Sequence, residues 1–357
     1  MTQPQLDPAR AEAFAGSMVN LLNNSCLGLM TAIGHRTGLF DTLAELPEST
    51  SAQIAEAANL QERYVREWLS AMAAGKVVEY DGTRRTFRLP PEHAASLTRA
   101  AGPGNLAMMT QYIGLLGKVE TAVADCFRTG GGVPYSAFEE FQSLQAEEST
   151  MLLDAILVDT VIALAPGLTE RLHEGAEVVD VGCGQGHAVN VLAKAFPNSN
   201  FAGFDFSPGA VAAGRAEAEA LGLTNARFEA VDVAKLEDIG RFDLITAIDT
   251  IHDQADPARV LKNIHNALAP GGHFVCIDIL SSTNLADNLD HPLGPMLYTA
   301  STMHCMTVSL AQCGAGLGTC WGTERALTMM RTAGFADAKL HTLEGDVFHA
   351  FYTATKR

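Results

Sequence analysis

The sequence predicts an α/β protein in two parts: a helical N-terminal region ending in a β-hairpin, and a larger C-terminal region built on a mainly parallel, doubly wound sheet. Two short helical patterns, a longer one and two β-rich runs joined by Asp-Gly follow one another between residues 30 and 89. A strand, a glycine turn and a helix start occupy residues 177–187. From there onward strand and helix patterns alternate, which is typical of a parallel sheet with helices on both faces.

The composition is ordinary for a soluble protein with a large buried core. The chain has 357 residues, enough for two or three domains, and is 47% hydrophobic and 18% charged. No apolar run is long enough to span a membrane, and residues 1–10 lack the apolar core of a signal peptide. We therefore expect a cytoplasmic protein that does not bind membranes.

The charge is acidic and unevenly distributed. The net charge is −17, which argues against nonspecific binding to nucleic acid or anionic lipid. Residues 1–100 contain nine Lys or Arg and eleven Asp or Glu, so most of the acidic surplus belongs to the C-terminal part.

The seven cysteines are scattered and form no CxxC pair, so no disulfide framework or zinc module is indicated. Three of them lie in apolar segments and are expected to be buried thiols: Cys26, Cys183 and Cys276. The spacing of His304, Cys305, Cys313 and Cys320 matches no known zinc module, and we expect no metal site.

The N-terminal region begins with a helical pattern over residues 9–30 and a second apolar segment over residues 30–43. N-cap candidates at residues 49–51 precede a short helix over residues 52–58. A longer helix follows over residues 61–74, with Gly75 as its C-cap. Two strands, residues 76–80 and 83–89, flank the Asp81-Gly82 turn. This order of elements is that of a winged helix-turn-helix, and we assign it to residues 1–100.

Such a module could read DNA or serve as a scaffold for dimerisation that also helps to wall a substrate pocket. As a DNA reader it would use the helix over residues 61–74 and a wing carrying Arg84, Arg85 and Arg88. The helix, however, carries Glu62 and Glu67 beside its arginines, and acids there repel phosphate. The charge pattern favours the scaffold and a homodimer over nucleic acid.

Residues 101–174 are mostly helical and connect the two regions. The C-terminal domain, residues 175–357, shows strand patterns at 177–181, 200–204, 226–230, 242–248, 273–280, 338–343 and 348–355. Helical patterns lie between them, notably at 207–221 and 257–268. Ligands of such sheets bind beyond the carboxyl ends of the strands.

The glycine turn follows the first of these strands with the spacing Asp180-x-Gly182-x-Gly184-x-Gly186. The glycines allow the backbone to turn sharply and to approach a ligand closely. A dinucleotide fingerprint, G-x-G-x-x-G, would need glycine where His187 stands. The acid that leads the loop suits a ligand amine better than a pyrophosphate.

Further residues follow the later strands in the same order as in a known family. Asp205 ends the second strand, Asp232 follows the third, and His252-Asp253 follows the fourth. Leu261-Lys262-Asn263 comes next, and Asp278 closes the fifth strand. Together with the glycine turn, this pattern resembles class I S-adenosylmethionine-dependent methyltransferases, whose sheet is Rossmann-like. It is most similar to small-molecule O-methyltransferases with an N-terminal winged-helix domain, and within them to a mycobacterial-type branch, some members of which have been described as possible regulators.

The resemblance implies a role for each matching residue. Asp180 and the three glycines would hold the methionine end of the cofactor, and Asp205 the ribose. Other implied cofactor contacts are Phe206, Asp232, Val233 and Ile248. His252 would be the general base, oriented by Asp278. The sequence departs from the family pattern at Gln254, where tryptophan is usual, and at Glu324, an offset candidate for a second orienting acid.

A long segment, residues 281–321, follows the fifth strand and is rich in Met, Gly and small residues. It could form a lid over the acceptor, because methionine adapts to irregular apolar ligands, or it could be an interface core. Candidate acceptor contacts are Met296, Tyr298 and His304. We expect His304 to be a hydrogen-bonded core residue rather than a second base.

These observations predict a methyltransferase that uses S-adenosylmethionine and a small, partly apolar acceptor, with methyl transfer to a hydroxyl. A thiol, thioether or amine acceptor stays open, because such nucleophiles need less help from a base. The alternatives are a DNA-binding regulator with S-adenosylmethionine as effector and an NAD-linked oxidoreductase, which His187 disfavours.

Overall fold

The computed structural model describes residues 6–235 and 240–357. The chain forms two compact units, Met1–Gly117 and Lys118–Arg357. The helices and strands of the first unit are α1 Pro8–Arg36, α2 Leu39–Glu45, α3 Ser51–Ala57, α4 Glu62–Ala74, β1 Glu79–Asp81, β2 Thr86–Arg88, α5 Pro91–Ala94, α6 Leu106–Met109 and α7 Gln111–Gly117.

The first unit has the predicted helix-turn-helix and wing. Thr50 caps α3 with a reciprocal capping box to Gln53, and Gly75 is the C-cap of α4, as expected. Trp68 on α4 is buried and donates its indole N–H to the carbonyl oxygen of Met30 at 2.7 Å, which fixes α4 against α1.

Three expectations for this unit were wrong in detail. Helix α1 runs without a break to Arg36, because its glycines at positions 28 and 34 let neighbouring side chains pack closely on the helix. Asp81 belongs to β1 and pairs with Thr86, so the hairpin loop has four residues rather than two. Cys26 is exposed, whereas Cys183 and Cys276 are buried as predicted.

Two of the three wing arginines form ion pairs with acids. Arg84 forms ion pairs with Glu48 and Asp81, and Arg88 forms one with Glu79.

Helix α1 exposes a series of apolar side chains to solvent. No Asp, Glu, Lys or Arg occurs between positions 13 and 34. Its large exposed apolar residues include Phe14, Met18, Val19, Leu21 and Leu22.

The second unit contains the predicted sheet. Its helices are α8 Glu120–Thr129, α9 Phe141–Ile156, α10 Leu168–Glu174, α11 His187–Ala195, α12 Pro208–Ala220, α13 Pro257–Ala267, α14 Gly294–Ala300, α15 Met306–Ala311 and α16 Thr323–Ala333. Its strands are β3 Glu177–Val181, β4 Asn200–Asp205, β5 Ala226–Ala230, β6 Phe242–Ile248, β7 Leu268–Ile279, β8 Lys339–His341 and β9 His349–Thr355.

The strand order is β5-β4-β3-β6-β7-β9-β8. The strands from β5 to β7 are parallel, and β9 runs antiparallel to both of its neighbours. One apolar cluster packs α13 and α16 on one face, and a second packs α10, α11 and α12 on the other. The doubly wound, Rossmann-like sheet is therefore confirmed.

One strand of the sheet starts earlier than predicted. Strand β7 begins at Leu268 rather than residue 273, because it continues through a bulge opposite β6. The 281–321 segment, for which only a lid or an interface core was predicted, is largely helical and contains α14, α15 and, between them, a π-helical turn, Ser301–Cys305. Among the described residues no single helix is long and apolar enough to cross a membrane; one bent pair, Phe141–Leu164 with Leu168–Glu174, passes the length and composition criteria.

Three glycines, at positions 186, 203 and 214, meet around the ring of Phe228. A Cβ on any of them would lie closer than 3 Å to that ring. The glycine turn, β4 and α12 can approach one another because these side chains are missing.

We expect Gly203→Ala to destabilise the second unit by about 1–3 kcal/mol, the usual range for overpacking. Its methyl group would lie 2.6 Å from Phe228 Cδ1 and 2.8 Å from Cys183 Sγ. Urea denaturation checks the value. Gly209→Ala is the matched control, because a Cβ there meets its nearest atom at 3.9 Å and should leave stability unchanged or raise it. Equal stabilities of the two variants would contradict the packing argument.

Candidate functional site

A cleft lies at the carboxyl ends of β3, β4 and β6, the edge at which doubly wound sheets bind ligands. Its cavity volume is about 100 Å³, and the cleft opens to solvent. The predicted site residues that line it are Asp180, Gly182, Gly184, Gly186, Asp205, Phe206 and Ile248.

The glycine turn forms the floor of this cleft. Gly182, Gly184 and Gly186 all have positive φ, between 51° and 78°, a conformation that other residues rarely adopt. A Cβ on Gly182 would collide with Thr250, whereas one on Gly184 would point into open space. The turn therefore leaves room for a ligand beside Gly184.

Asp180 is buried below the turn. The register of β3 with β6 places it opposite Thr246, whose hydroxyl donates to Asp180 Oδ1 at 2.6 Å. Burial raises the pKa of Asp180 to about 7, although the bond from Thr246 opposes the shift. An unpaired carboxylate in this position favours a cationic partner.

Asp205 joins the turn to the end of β4. Its Oδ2 accepts from the Gly184 N–H at 3.0 Å, and its Oδ1 accepts from the Ser207 N–H at 2.8 Å. Burial raises the pKa of Asp205, and these two N–H groups oppose the shift. Each oxygen keeps a lone pair for a hydroxyl donor. Phe206, beside it, is 55% exposed and packs edge-to-face with Tyr135.

Two further acids of the cleft were not predicted as site residues. Burial raises the pKa values of Asp249 and Asp253 to about 6 each. Asp249 has a positive φ of 47°, and its Oδ1 has no hydrogen-bond partner among the described residues. Both follow the end of β6, and the strand-end rule that identified Asp205 would have found them.

Helix α9, one of the predicted connecting helices, also contributes to the cleft. It presents Gln142, Gln145, Ala146, Ser149 and Leu153 to the ligand space. Local sequence patterns could not show this, because the contact depends on how α9 packs across α11.

His252 and Asp278 form a buried dyad. The imidazole Nδ1 of His252 lies 2.8 Å from Asp278 Oδ1, which also accepts from the Trp321 indole at 3.2 Å and from the Ile279 N–H at 2.8 Å. Burial alone would lower the pKa of His252, but Asp278 and the neighbouring Cys305 sulfur raise it well above its usual range. The dyad thus fixes the ring orientation, as a base requires.

The dyad does not line the cleft but lies behind the residues that do. The two residues after His252, Asp253 and Gln254, line the cleft, whereas His252 is itself buried. Glu324, the offset candidate for a second orienting acid, is exposed and bonds Ser282 and the Thr283 N–H instead.

Other predicted residues lie outside the cleft lining. Asp232 pairs with Lys235 at 2.8 Å, and Val233 belongs to the apolar core. Met296 is half-buried, and the Tyr298 hydroxyl accepts from Asn288 at 2.9 Å.

His304 is buried, as expected, but the hydrogen bonds expected for it are absent. Neither ring nitrogen has a partner among the described residues. The ring stacks on Phe141 at a centroid distance of 3.6 Å and packs edge-to-face with Tyr135 and Phe138. Burial, with a contribution from His252, lowers its pKa to about 3, so the ring is neutral near pH 7.

Within residues 6–235 and 240–357, no three His, Cys, Asp or Glu side chains are placed to hold a metal ion. The polar groups that converge on the cleft include carboxylates, amides and backbone N–H groups. They suit a ligand with positive charge and hydroxyl donors.

Two family models match the chain. The model described as an Rv2258c-like winged HTH domain matches residues 25–99. A model described as a methyltransferase domain matches residues 172–334, which include the glycine turn, the cleft acids of the strand ends and the dyad.

Curated relatives match parts of the C-terminal region. Trans-aconitate 2-methyltransferase of Methylobacterium nodulans is 33% identical over 117 residues, 33% of this chain and 41% of the relative. Ubiquinone biosynthesis O-methyltransferase of Acinetobacter baumannii is 30% identical over 101 residues, 28% of this chain and 42% of the relative. The chain thus spans about two fifths of the length of these relatives.

Solved structures match over the whole chain. Human N-acetylserotonin methyltransferase, determined in complex with SAM, has a TM-score of 0.70 at 18% identity and covers 100% of both chains. An O-methyltransferase-like protein from Nostoc punctiforme has a TM-score of 0.70 at 16% identity, with 99% and 100% coverage. At these identities the likeness shows the fold alone.

Proposed function

We propose that this chain, which joins a winged-helix domain to a class I methyltransferase domain, transfers a methyl group from S-adenosylmethionine to a hydroxyl of a small, partly apolar molecule. The family models support the winged-helix assignment of the first region and the methyltransferase assignment of the second. The observation that carries the cofactor proposal is the glycine turn hydrogen-bonded to Asp205 in an acid-lined cleft.

The cleft fits this cofactor chemically. S-Adenosylmethionine supplies an activated methyl group on a sulfonium and also carries an ammonium and two ribose hydroxyls. We propose that Asp180 and the turn glycines hold the methionine end, that Asp205 accepts from the ribose, and that Phe206 and Ile248 flank the nucleoside. Open space beside Gly184 and the acids at the strand ends support this arrangement. The adenine contacts of Asp232 and Val233 rest on the resemblance alone.

We propose His252 as the base that takes the proton from the acceptor hydroxyl. Asp278 at Nδ1 orients the ring, and Nε2 would take the proton in place of its contact with Cys305, which is the arrangement of a histidine oriented by a carboxylate. Cys305 beside the ring and the unpartnered nitrogens of His304 lie in the same region. Together with Met296 and Tyr298, they are our candidates for the acceptor surroundings.

A DNA-reading role receives no support from the wing, because Arg84 and Arg88 are already paired with acids. We therefore propose a small-molecule acceptor and no nucleic-acid partner.

Calorimetric titration with S-adenosylmethionine tests the cofactor site. We expect binding by the wild type and at least about a 10-fold loss in Asp205→Ala, because charge-assisted hydrogen bonds are lost. Glu219→Gln, on the exposed side of α12, is the control and should bind as the wild type does. A folded wild type that does not bind would refute the methyltransferase proposal.

Labelled methyl transfer to a panel of phenols and aliphatic alcohols tests the base. His252 must be neutral to accept a proton, so kcat/KM should rise with pH through the raised pKa of this residue. His252→Gln should lower the rate about 10²- to 10⁴-fold while leaving S-adenosylmethionine binding intact. Equal rates in the variant, or methylation confined to thiols in a matching panel, would contradict a base-assisted hydroxyl transfer.

We also propose that a second copy of the chain covers the exposed apolar face of α1. Five large apolar residues on an uncharged helical stretch form a patch that soluble chains normally bury. We expect the wild type to sediment as a dimer and Phe14→Glu/Leu22→Glu as a monomer. Tyr64→Glu, at an exposed position on α4, is the control and should remain dimeric. A monomeric wild type would refute the proposal.

A further inference from the structure

His187 is the residue that breaks the dinucleotide fingerprint, and it occupies the first position of α11. Its ring lies between two carboxylates. Nδ1 is 2.7 Å from Glu217 Oε1 on α12, and Nε2 is 3.0 Å from Asp154 Oδ1 on α9. One imidazole thus joins three helices beside the cleft.

The two contacts together require a charged ring. An ionised carboxylate can only accept a hydrogen bond, and a neutral imidazole has only one N–H to donate. Both contacts can therefore be hydrogen bonds at the same time only when His187 is an imidazolium.

Further hydrogen bonds hold Glu217 in place for its contact with His187. Asn190 donates to Glu217 Oε2 at 2.7 Å and to the Gly214 carbonyl at 3.2 Å, which ties α11 to α12. The contact to Asp154 is more exposed, because 58% of that side chain is accessible to solvent. Helix α9 is therefore the part that can detach.

Helix α9 has other contacts along its length. Phe141 at its start stacks on His304, Leu144 and Leu153 are buried, and the helix passes into a π-helical turn, Leu157–Val161, directly after Ile156. The helix supplies one wall of the cleft through Gln142, Gln145 and Ser149. The bridge between Asp154 and His187 is the ion pair that ties this wall to the start of α11.

We infer that His187 is a positioning residue whose protonated ring clamps α9 over the cleft and so slows release of the bound cofactor. The inference rests on the proposed function only in naming that cofactor. Within the described part of the chain, only Asp154 and Glu217 form ion pairs with His187.

Hydrogen exchange of the α9 amides in the cofactor-free protein tests the clamp directly. After correction for intrinsic exchange, protection in Asp154→Ala should be about 3- to 10-fold lower than in the wild type, because the bridge from His187 to α9 is lost.

Asp154→Asn gives the sharpest comparison. Its amide can donate to the ring or accept from it, so the bridge should persist and protection should stay near that of the wild type. Asp159→Ala removes an exposed acid nearby and should behave as the wild type does. Equal protection in the wild type, Asp154→Ala and Asp154→Asn would overturn the inference.

Stopped-flow measurement of S-adenosylmethionine release gives a second readout. We expect Asp154→Ala to release it about 3- to 10-fold faster than the wild type or Asp159→Ala. If the wild type binds and both variants release at its rate, the clamp is refuted while the proposed function stands. If the wild type does not bind, the proposed function fails, and hydrogen exchange alone decides on the clamp.

Discussion

The placement of carboxylates at the carboxyl edge of the large sheet is the constraint on which the rest of this structure depends. Asp180, Asp205, Asp249 and Asp253 converge there because neighbouring parallel strands end at one edge. Burial raises their pKa values; hydrogen bonds from Thr246 and backbone N–H groups oppose this for Asp180 and Asp205, and His252, His349 and Gln254 oppose it for Asp249 and Asp253. The glycine turn, the helix starts and the covering helix surround these acids. The arrangement suits a ligand that brings positive charge.

Local signals in the sequence were sufficient for the sheet and for the floor of the cleft. Strand β3 was predicted from its run of β-branched residues, and the positive φ values of the turn follow from its glycines. Asp205 was predicted because it ends a strand next to that turn. The dyad of His252 with Asp278 was inferred from a resemblance, since 26 residues separate its members and no local rule joins them.

Tertiary packing decided what the sequence patterns could not show. The role of α9 depends on its crossing of α11, and the uninterrupted α1 depends on side chains from elsewhere filling the space beside its glycines. His304 carries two ring nitrogens that could form hydrogen bonds, yet the structure surrounds the ring with aromatic side chains. His187 could be recognised as an exception to a fingerprint, but its two carboxylate partners come from helices on either side of it in sequence.

The ring of Phe228 restricts which substitutions the sequence can accumulate during evolution. It occupies the space left by glycines on the turn, on β4 and on α12, so these four positions share one volume. A larger residue at any of the glycines becomes acceptable only if position 228 shrinks in the same lineage. The four positions should therefore vary jointly. The residue at position 228, on β5 and outside the cleft lining, would determine which substitutions the glycine turn can accept.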